Sequence, residues 1–239
     1  MNFFYTSEPV SNIHVLDEQE SRHCVKSLRL RKNDQVYLTD GKGNVYLTQI
    51  VSDDIKACVL EIIRKIEDYP LLPYRLHIGI APTKNSDRLE WFVEKAVEIG
   101  ISEITALICE NSERISIKSD RMERLMIAAV KQSLRAEIPI FNSLICFNDF
   151  LEKTKNTYSQ KFIAYCGDLQ QEPCLLKSVC QDQPNTLILI GPEGDFTPAE
   201  VQKAMQCGFI PISLGKFRLR TETAALLVCA TVQISNSYE

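Results

Sequence analysis

From residue 75 to the end of the chain, short apolar runs alternate with stretches whose apolar residues recur at helical spacing. Leu76–Ala81, Ile104–Cys109, Phe162–Cys166 and Thr186–Gly191 are nearly continuous apolar runs, as expected of strands covered on both faces. Between them, Leu89, Phe92, Val93, Ala96 and Val97 form one helical stripe that stops at Gly100. Met122, Leu125, Met126, Ala129 and Val130 form another in a helix spanning 120–135. Ser86 is read as the cap of the first of these helices. Alternation of this kind predicts an α/β domain built on a parallel sheet, with both faces covered.

Residues 1–68 follow a different rule. Asp34–Asp40 alternates apolar and polar side chains, Asp40-Gly41-Lys42-Gly43-Asn44 is a turn, and Val45–Val51 and Lys56–Arg64 are again strand-like. Short strands joined by hairpins predict a small β-barrel module of OB or PUA-like type. The segment 68–74 holds two prolines and breaks all periodicity. The boundary is therefore placed there, giving domains 1–70 and 74–239.

The net charge of −4 argues against indiscriminate coating of nucleic acid. A local basic site is still open, because Arg22, Lys26, Arg29, Arg31 and Lys32 fall within eleven residues that hold no acid. Such a run reads either as a solvated face or as a phosphate contact. The nine cysteines include no C-x-x-C pair and the three histidines are isolated, so neither a disulfide framework nor zinc spacing is present. Most of the cysteines read as small buried hydrophobes, and no metal is expected. With no apolar run long enough to span a bilayer and no signal-peptide pattern, the expectation is a soluble cytoplasmic protein.

Two segments carry the chemistry. In the first, a strand enters Gly191-Pro192-Glu193-Gly194, and a helix follows with Thr197 as cap, Pro198 at its first position and Glu200 closing a capping box. In the second, a strand ends at Leu214-Gly215, Lys216–Arg220 follows, and Thr221-Glu222-Thr223-Ala224 opens a long apolar helix. Turns at the carboxyl ends of parallel strands are where open α/β sheets bind ligands, and glycines there admit close approach. The Gly194 turn is expected to need a positive φ. Each feature also has a plain structural reading: a strand-to-helix turn, surface charges at Arg218 and Arg220, and a helix-dipole partner at Glu222. Rossmann, Walker, hydrolase and zincin motifs are all missing.

Several motifs together resemble one family. They are Lys84-x-x-x-Arg88-x-Glu90 with its helix, Gln132-Ser-Leu-Arg135 before Pro139, Leu-Ile-Gly-Pro-Glu-Gly, and Leu-Gly-x-x-x-Leu-Arg-Thr-Glu-Thr-Ala. They are similar to the RsmE family, SPOUT-class methyltransferases that modify N3 of a uridine in 16S rRNA. His23-x-x-x-Ser-Leu-Arg29-Leu and Asp40-Gly-x-Gly resemble that family's N-terminal PUA-like domain, and Lys216-Phe217-Arg218 departs from its pattern.

The resemblance implies a C-terminal trefoil knot and a homodimer whose partner completes the site. It also implies S-adenosylmethionine held by Ile190, Gly191, Pro192, Glu193, Gly194, Leu214, Gly215, Leu219, Thr221 and Ala224. Arg220 is the expected stabiliser of charge on the uracil and Glu222 a candidate base. Arg22, Lys26, Arg29, Arg31 and Arg135 are the expected contacts to the rRNA of the small ribosomal subunit. Two alternatives share the fold: an enzyme acting on tRNA or on a ribose hydroxyl, and an RNA-binding protein without catalysis.

Overall fold

The computed structural model describes residues 1–8, 10–167, 174–179 and 185–236. They group into two compact units: Met1–Leu71 with Ile127–Ile138, and Leu72–Met126 with Pro139–Glu239.

The first unit is built on a five-stranded sheet. Its strands are β1 (Phe3–Tyr5), β2 (Ile13–Val15), β3 (Gln35–Thr39), β4 (Val45–Ser52) and β5 (Val59–Ile66), in the order β1-β3-β4-β5-β2. β1 and β3 run parallel and the remaining pairs are antiparallel. Among the described residues the outer strands do not pair with each other, so the sheet is a half-barrel. Phe4, Leu16, Val36, Leu38, Ile50 and Leu60 fill its core. The expected turn between β3 and β4 is present, with Gly41 and Gly43 at φ +70° and +99°, where only glycine is unstrained.

Helix α1 (Glu18–Arg22) starts at Asp17, whose carboxylate accepts from the Glu20 amide, and continues through a π-turn over His23–Ser27. The segment Ile127–Ile138 also belongs here. The Thr39 hydroxyl donates to the Ala136 carbonyl at 3.0 Å, and the Tyr69 hydroxyl to that of Leu134 at 2.7 Å.

The second unit holds a seven-stranded, wholly parallel sheet among the described residues. Its strands are β6 (Arg75–Ile80), β7 (Glu103–Ile108), β8 (Ile140–Cys146), β9 (Gln160–Ala164), β10 (Cys174–Leu175), β11 (Asn185–Ile190) and β12 (Ile210–Ser213). They lie in the order β10-β12-β9-β11-β6-β7-β8. The helices are α2 (Ser86–Ile99), α3 (Ser119–Ser133, shared between the units), α4 (Phe147–Thr154), α5 (Leu176–Val179), α6 (Pro198–Gln206) and α7 (Thr221–Asn236).

Strand β11 shows why its sequence is apolar from Leu187 to Ile190. Leu187 and Leu189 pack into a cluster with Phe147 and Phe150 of α4 and Val201 and Ala204 of α6. Its opposite face, with Ile188 and Ile190 buried, lies beside α7.

The stripe expected on α2 is buried in full, and Gly100 ends that helix at φ +136°. The cap is Asn85, not Ser86: its side chain accepts from the Asp87 amide, which leaves Ser86 as the first helical residue. β8 and α4 are elements that periodicity did not announce, because β8 is only half-buried. Five of the eight described cysteines are buried, while Cys146, Cys166 and Cys174 are exposed. Cys180 lies outside the described residues.

Candidate active site

Strands β12, β9 and β11 are neighbours in the sheet, and their carboxyl ends open into one cleft of about 910 Å³. The first wall is the turn after β11. Thr197 and Glu200 form the expected capping box with Pro198 at the helix start, so α6 begins at a fixed place. Within the turn the Asp195 amide donates to the Pro192 carbonyl at 2.9 Å, and Asp195 is the residue in the left-handed region, at φ +62°. Gly194 is not, which corrects the expectation of a positive φ there.

Two segments distant in sequence, at Lys84 and at Glu110-Asn111, hold this turn and the helix start after it. The Asn111 amide donates to the carbonyls of Gly194 (3.2 Å) and Asp195 (3.1 Å). The Lys84 amide donates to Glu193 Oε1 at 2.9 Å, and the Glu110 amide to Glu200 Oε1 at 2.9 Å. Glu193 and Glu200 therefore spend carboxylate oxygens on backbone amides.

The second wall follows β12. Gly215 stands at φ +129° with open space where a Cβ would be. The chain then passes through Lys216–Leu219 to Arg220, and α7 starts at Thr221. The Thr221 hydroxyl donates to the Gly191 carbonyl at 3.1 Å, and the Ala224 amide to the Arg220 carbonyl at 2.8 Å. The third wall is the end of β9, Ala164–Gly167. There the Cys166 amide donates to Asp195 Oδ2 at 3.0 Å. Burial, then the Asp195 charge, push the Cys166 thiol up against the opposing pull of Arg218, so it stays protonated near neutrality.

All ten residues read as cofactor contacts line this cleft, as does Arg220. Glu222 does not. It faces a second cavity of about 490 Å³, lined also by Asp87, Arg88, Trp91, Arg220 and Thr223. The sequence reading missed the Ala164–Gly167 wall, although a buried strand followed by a glycine was visible there. It also missed Asn111, for which no local signal exists.

The basic run lies in the first unit. Lys26, Arg29 and Arg31 are exposed, and Arg29 sits at φ +58°. Arg22 is not a free cation, since it pairs with Glu18 at 2.6 Å one helical turn earlier. Arg135 is half-buried within Ile127–Ile138 of the same unit. Among the described residues no cluster of His, Cys, Asp or Glu could hold a metal ion, and no helix is long and apolar enough to cross a membrane.

The cleft's donor set suits S-adenosylmethionine. Ile190, Leu214 and Leu219 give apolar contacts, the three strand ends give main-chain hydrogen-bonding groups, and no metal is required.

Comparison with known proteins agrees. An RNA methyltransferase domain family matches residues 70–233, and an RNA methyltransferase PUA domain family matches residues 16–63. The ribosomal RNA small subunit methyltransferase E of Mesomycoplasma hyopneumoniae is 34% identical over 233 residues, covering 94% of this chain and 96% of its own. A probable rRNA-methyltransferase from Porphyromonas gingivalis superposes with a TM-score of 0.90 at 36% identity, covering 99% of this chain and 98% of its own. The Neisseria gonorrhoeae ribosomal RNA small subunit methyltransferase E, solved bound to S-adenosyl methionine, superposes at 0.85 with 27% identity, covering 98% and 97%. A likeness that runs through both units and the cleft places this chain in the RsmE family, the family of ribosomal RNA small subunit methyltransferase E.

Proposed function

We propose that this protein transfers a methyl group from S-adenosylmethionine to N3 of a specific uridine in the 16S rRNA of the small ribosomal subunit. The observation that carries this reading is the cleft itself, formed by three adjacent strand ends and lined by every residue the family resemblance assigns to the cofactor.

The bound cofactor supplies an electrophilic methyl group on a sulfonium. The chain's own task is to orient the attack and to make the uracil N3 nucleophilic, since its N–H is essentially unionised at neutral pH. Arg220 borders the cleft and carries a permanent charge, which suits it to the uracil carbonyl oxygens as negative charge grows on them. Residues 1–70 serve in this reading as a PUA-like RNA-binding domain, with Lys26, Arg29 and Arg31 toward phosphate. Residues 74–239 serve as the methyltransferase domain, with the trefoil knot of the class at its C-terminal end.

The working form is a cytoplasmic homodimer. Helix α7 supports this, because it is apolar nearly all round and leaves Leu227 and Ile234 exposed at 40% and 72%. The experiment is to map modified uridines in 16S rRNA from cells with and without the gene. N3 methylation blocks the Watson–Crick edge and stops reverse transcriptase at one site, which disappears without the gene. An unchanged stop pattern refutes the reading. Light scattering showing an active monomer removes the dimer.

A further inference from the structure

The smaller cavity beside the cleft has a composition that the cofactor does not explain. Asp87, Arg88 and Trp91 come from α2, while Arg220, Glu222 and Thr223 come from the start of α7. Arg220 is the lining residue common to both cavities. The Glu222 side chain is only 8% exposed, and its Oε1 lies 3.8 Å from Arg88 Nε. Its Oε2 is buried with no hydrogen-bond partner. Capping a helix dipole needs no burial, since an exposed acid in the first turn serves as well. A carboxylate oxygen removed from water and left without a donor is costly, and such oxygens call for a ligand. Trp91, the single tryptophan of the chain, is 47% exposed at the same cavity.

We propose that this cavity receives the target uracil, Watson–Crick edge first. Glu222 Oε2 accepts the N3–H, Arg88 and Arg220 donate to the two flanking carbonyls, and Trp91 stacks on the ring. The proposal rests on the function above and adds the residues that select the base.

Its basis is a match of hydrogen-bonding order. Uracil presents acceptor, donor, acceptor along that edge. Glu222, with Arg88 3.8 Å away and Arg220 lining the same cavity, offers the complementary acceptor and donors. Cytosine would set its amino group against a guanidinium and its bare N3 lone pair against the carboxylate, so it is rejected by repulsion as well as by lost bonds. An exposed aromatic ring is the usual platform for an RNA base taken out of its stack.

The proton balance closes within the site. The N3 proton passes to Glu222 Oε2. The N3 electron pair forms the bond to the methyl carbon as the carbon–sulfur bond breaks, and that pair stays on sulfur. Negative charge on the uracil oxygens meets Arg88 and Arg220 throughout. Glu222 then returns its proton to water.

Because Trp91 is the only tryptophan, its fluorescence reports this cavity alone. The full-length protein is titrated with a strand of about ten adenosines carrying one central uridine, and with its cytidine twin. The uridine strand is expected to quench Trp91 at a concentration at least about tenfold lower, and Glu222→Gln to abolish that preference. In single-turnover transfer to small subunits from cells lacking the gene, Glu222→Gln should be about 10²–10⁴-fold slower. Its S-adenosylmethionine affinity by calorimetry should be unchanged, and Glu222→Asp should recover part of the rate.

Equal quenching by the two strands overturns the proposal. So does fluorescence that follows protein dilution and ignores RNA, which places Trp91 against a second copy. A Glu222→Gln rate within about threefold of wild type also overturns it. Small subunits methylated by a protein whose Trp91 does not discriminate leave the function standing without this subsite. Uridine-selective quenching in a protein that methylates no small subunit leaves the subsite standing and removes the rRNA target.

Discussion

The hydroxyl of Thr221 donates a hydrogen bond to the carbonyl of Gly191 across thirty positions of sequence. It joins the first residue of α7 to the first residue after β11, so two walls of the cleft move as one. Both residues are buried, and water cannot replace the bond. Thr221→Val keeps the shape and removes the donor, at a cost of about 0.5–1.5 kcal/mol. The expected result in calorimetry is S-adenosylmethionine affinity weaker by about two- to tenfold, with the fold intact. Unchanged affinity would show that the two walls are positioned independently.

Gly194→Val should act through space and not through backbone strain. A Cβ at Gly194 would sit 3.1 Å from the Asn111 Cβ, and Asn111 is the side chain that bridges the Gly194 and Asp195 carbonyls. Crowding there costs about 1–3 kcal/mol and reshapes the turn. Circular dichroism should report a folded protein, while cofactor affinity falls at least about tenfold. A folded variant that binds the cofactor normally would take this turn out of the site.

Arg220 borders both cavities, so its loss should be felt in turnover more than in cofactor binding. Arg220→Ala is expected to slow single-turnover transfer by about 10²–10³ with little change in cofactor affinity. Arg220→Lys should remain clearly impaired, because a lysine cannot present two parallel donors. A fall in RNA affinity or melting temperature with a near-normal rate would assign Arg220 to phosphate or to the loop.

In the basic run Lys26, Arg29, Arg31 and Lys32 are exposed, and Arg22, exposed as well, is engaged by Glu18. Replacing Lys26, Arg29 and Arg31 with glutamine should weaken RNA binding and lower the slope of log affinity against log salt by about 2. Arg22→Gln alone should change it little. Cofactor binding should be untouched. An unaltered slope in the triple variant makes the run a solvated face.

How much of this was readable depended on sequence distance. The Thr197–Glu200 capping box and the Gly100 stop were legible because each is decided within a few residues. The parallel sheet was legible from apolar runs such as Thr186–Ile190, which only a doubly covered strand needs. The three-residue strands β1 and β2 were too short to show a period, and the half-buried β8 had no apolar run to betray it. Within the site, the motif residues declared themselves. Their supports did not: Asn111 meets Gly194 across 83 positions, and the Lys84 amide meets Glu193 across 109. Glu222 was visible as an acid in a first turn, but nothing local says that α2 closes over it and turns it toward Arg88.

His77 supplies a pH test away from the site. It is buried at the start of the sheet, between the Tyr158 hydroxyl (2.5 Å) and the Thr105 hydroxyl (2.7 Å). Burial first, and the Arg75 charge second, lower its pKa to about 3. An unfolded chain would take up this proton near pH 6.5 while the folded one refuses it until about pH 3. Between those values wild-type stability therefore falls as pH falls, by up to about 1.4 kcal/mol per pH unit from this group. His77→Gln does not titrate, so denaturant melts of the two proteins should converge from pH 7 toward pH 4. A constant gap would mean that the folded protein takes up the His77 proton at the same pH as the unfolded chain.

The strap formed by Ile127–Ile138 sets an order of events during synthesis. The Thr39 hydroxyl, the Gly43 amide and the Tyr69 hydroxyl all find their acceptors on Leu134 or Ala136, and Lys131 reaches back to Glu20. When residue 71 leaves the ribosome, those partners have not yet been made. At about 5–20 residues per second they arrive several seconds later. The half-barrel, although encoded first, therefore cannot finish folding until residues up to 138 have emerged, and a nascent chain halted near residue 71 should remain open to protease.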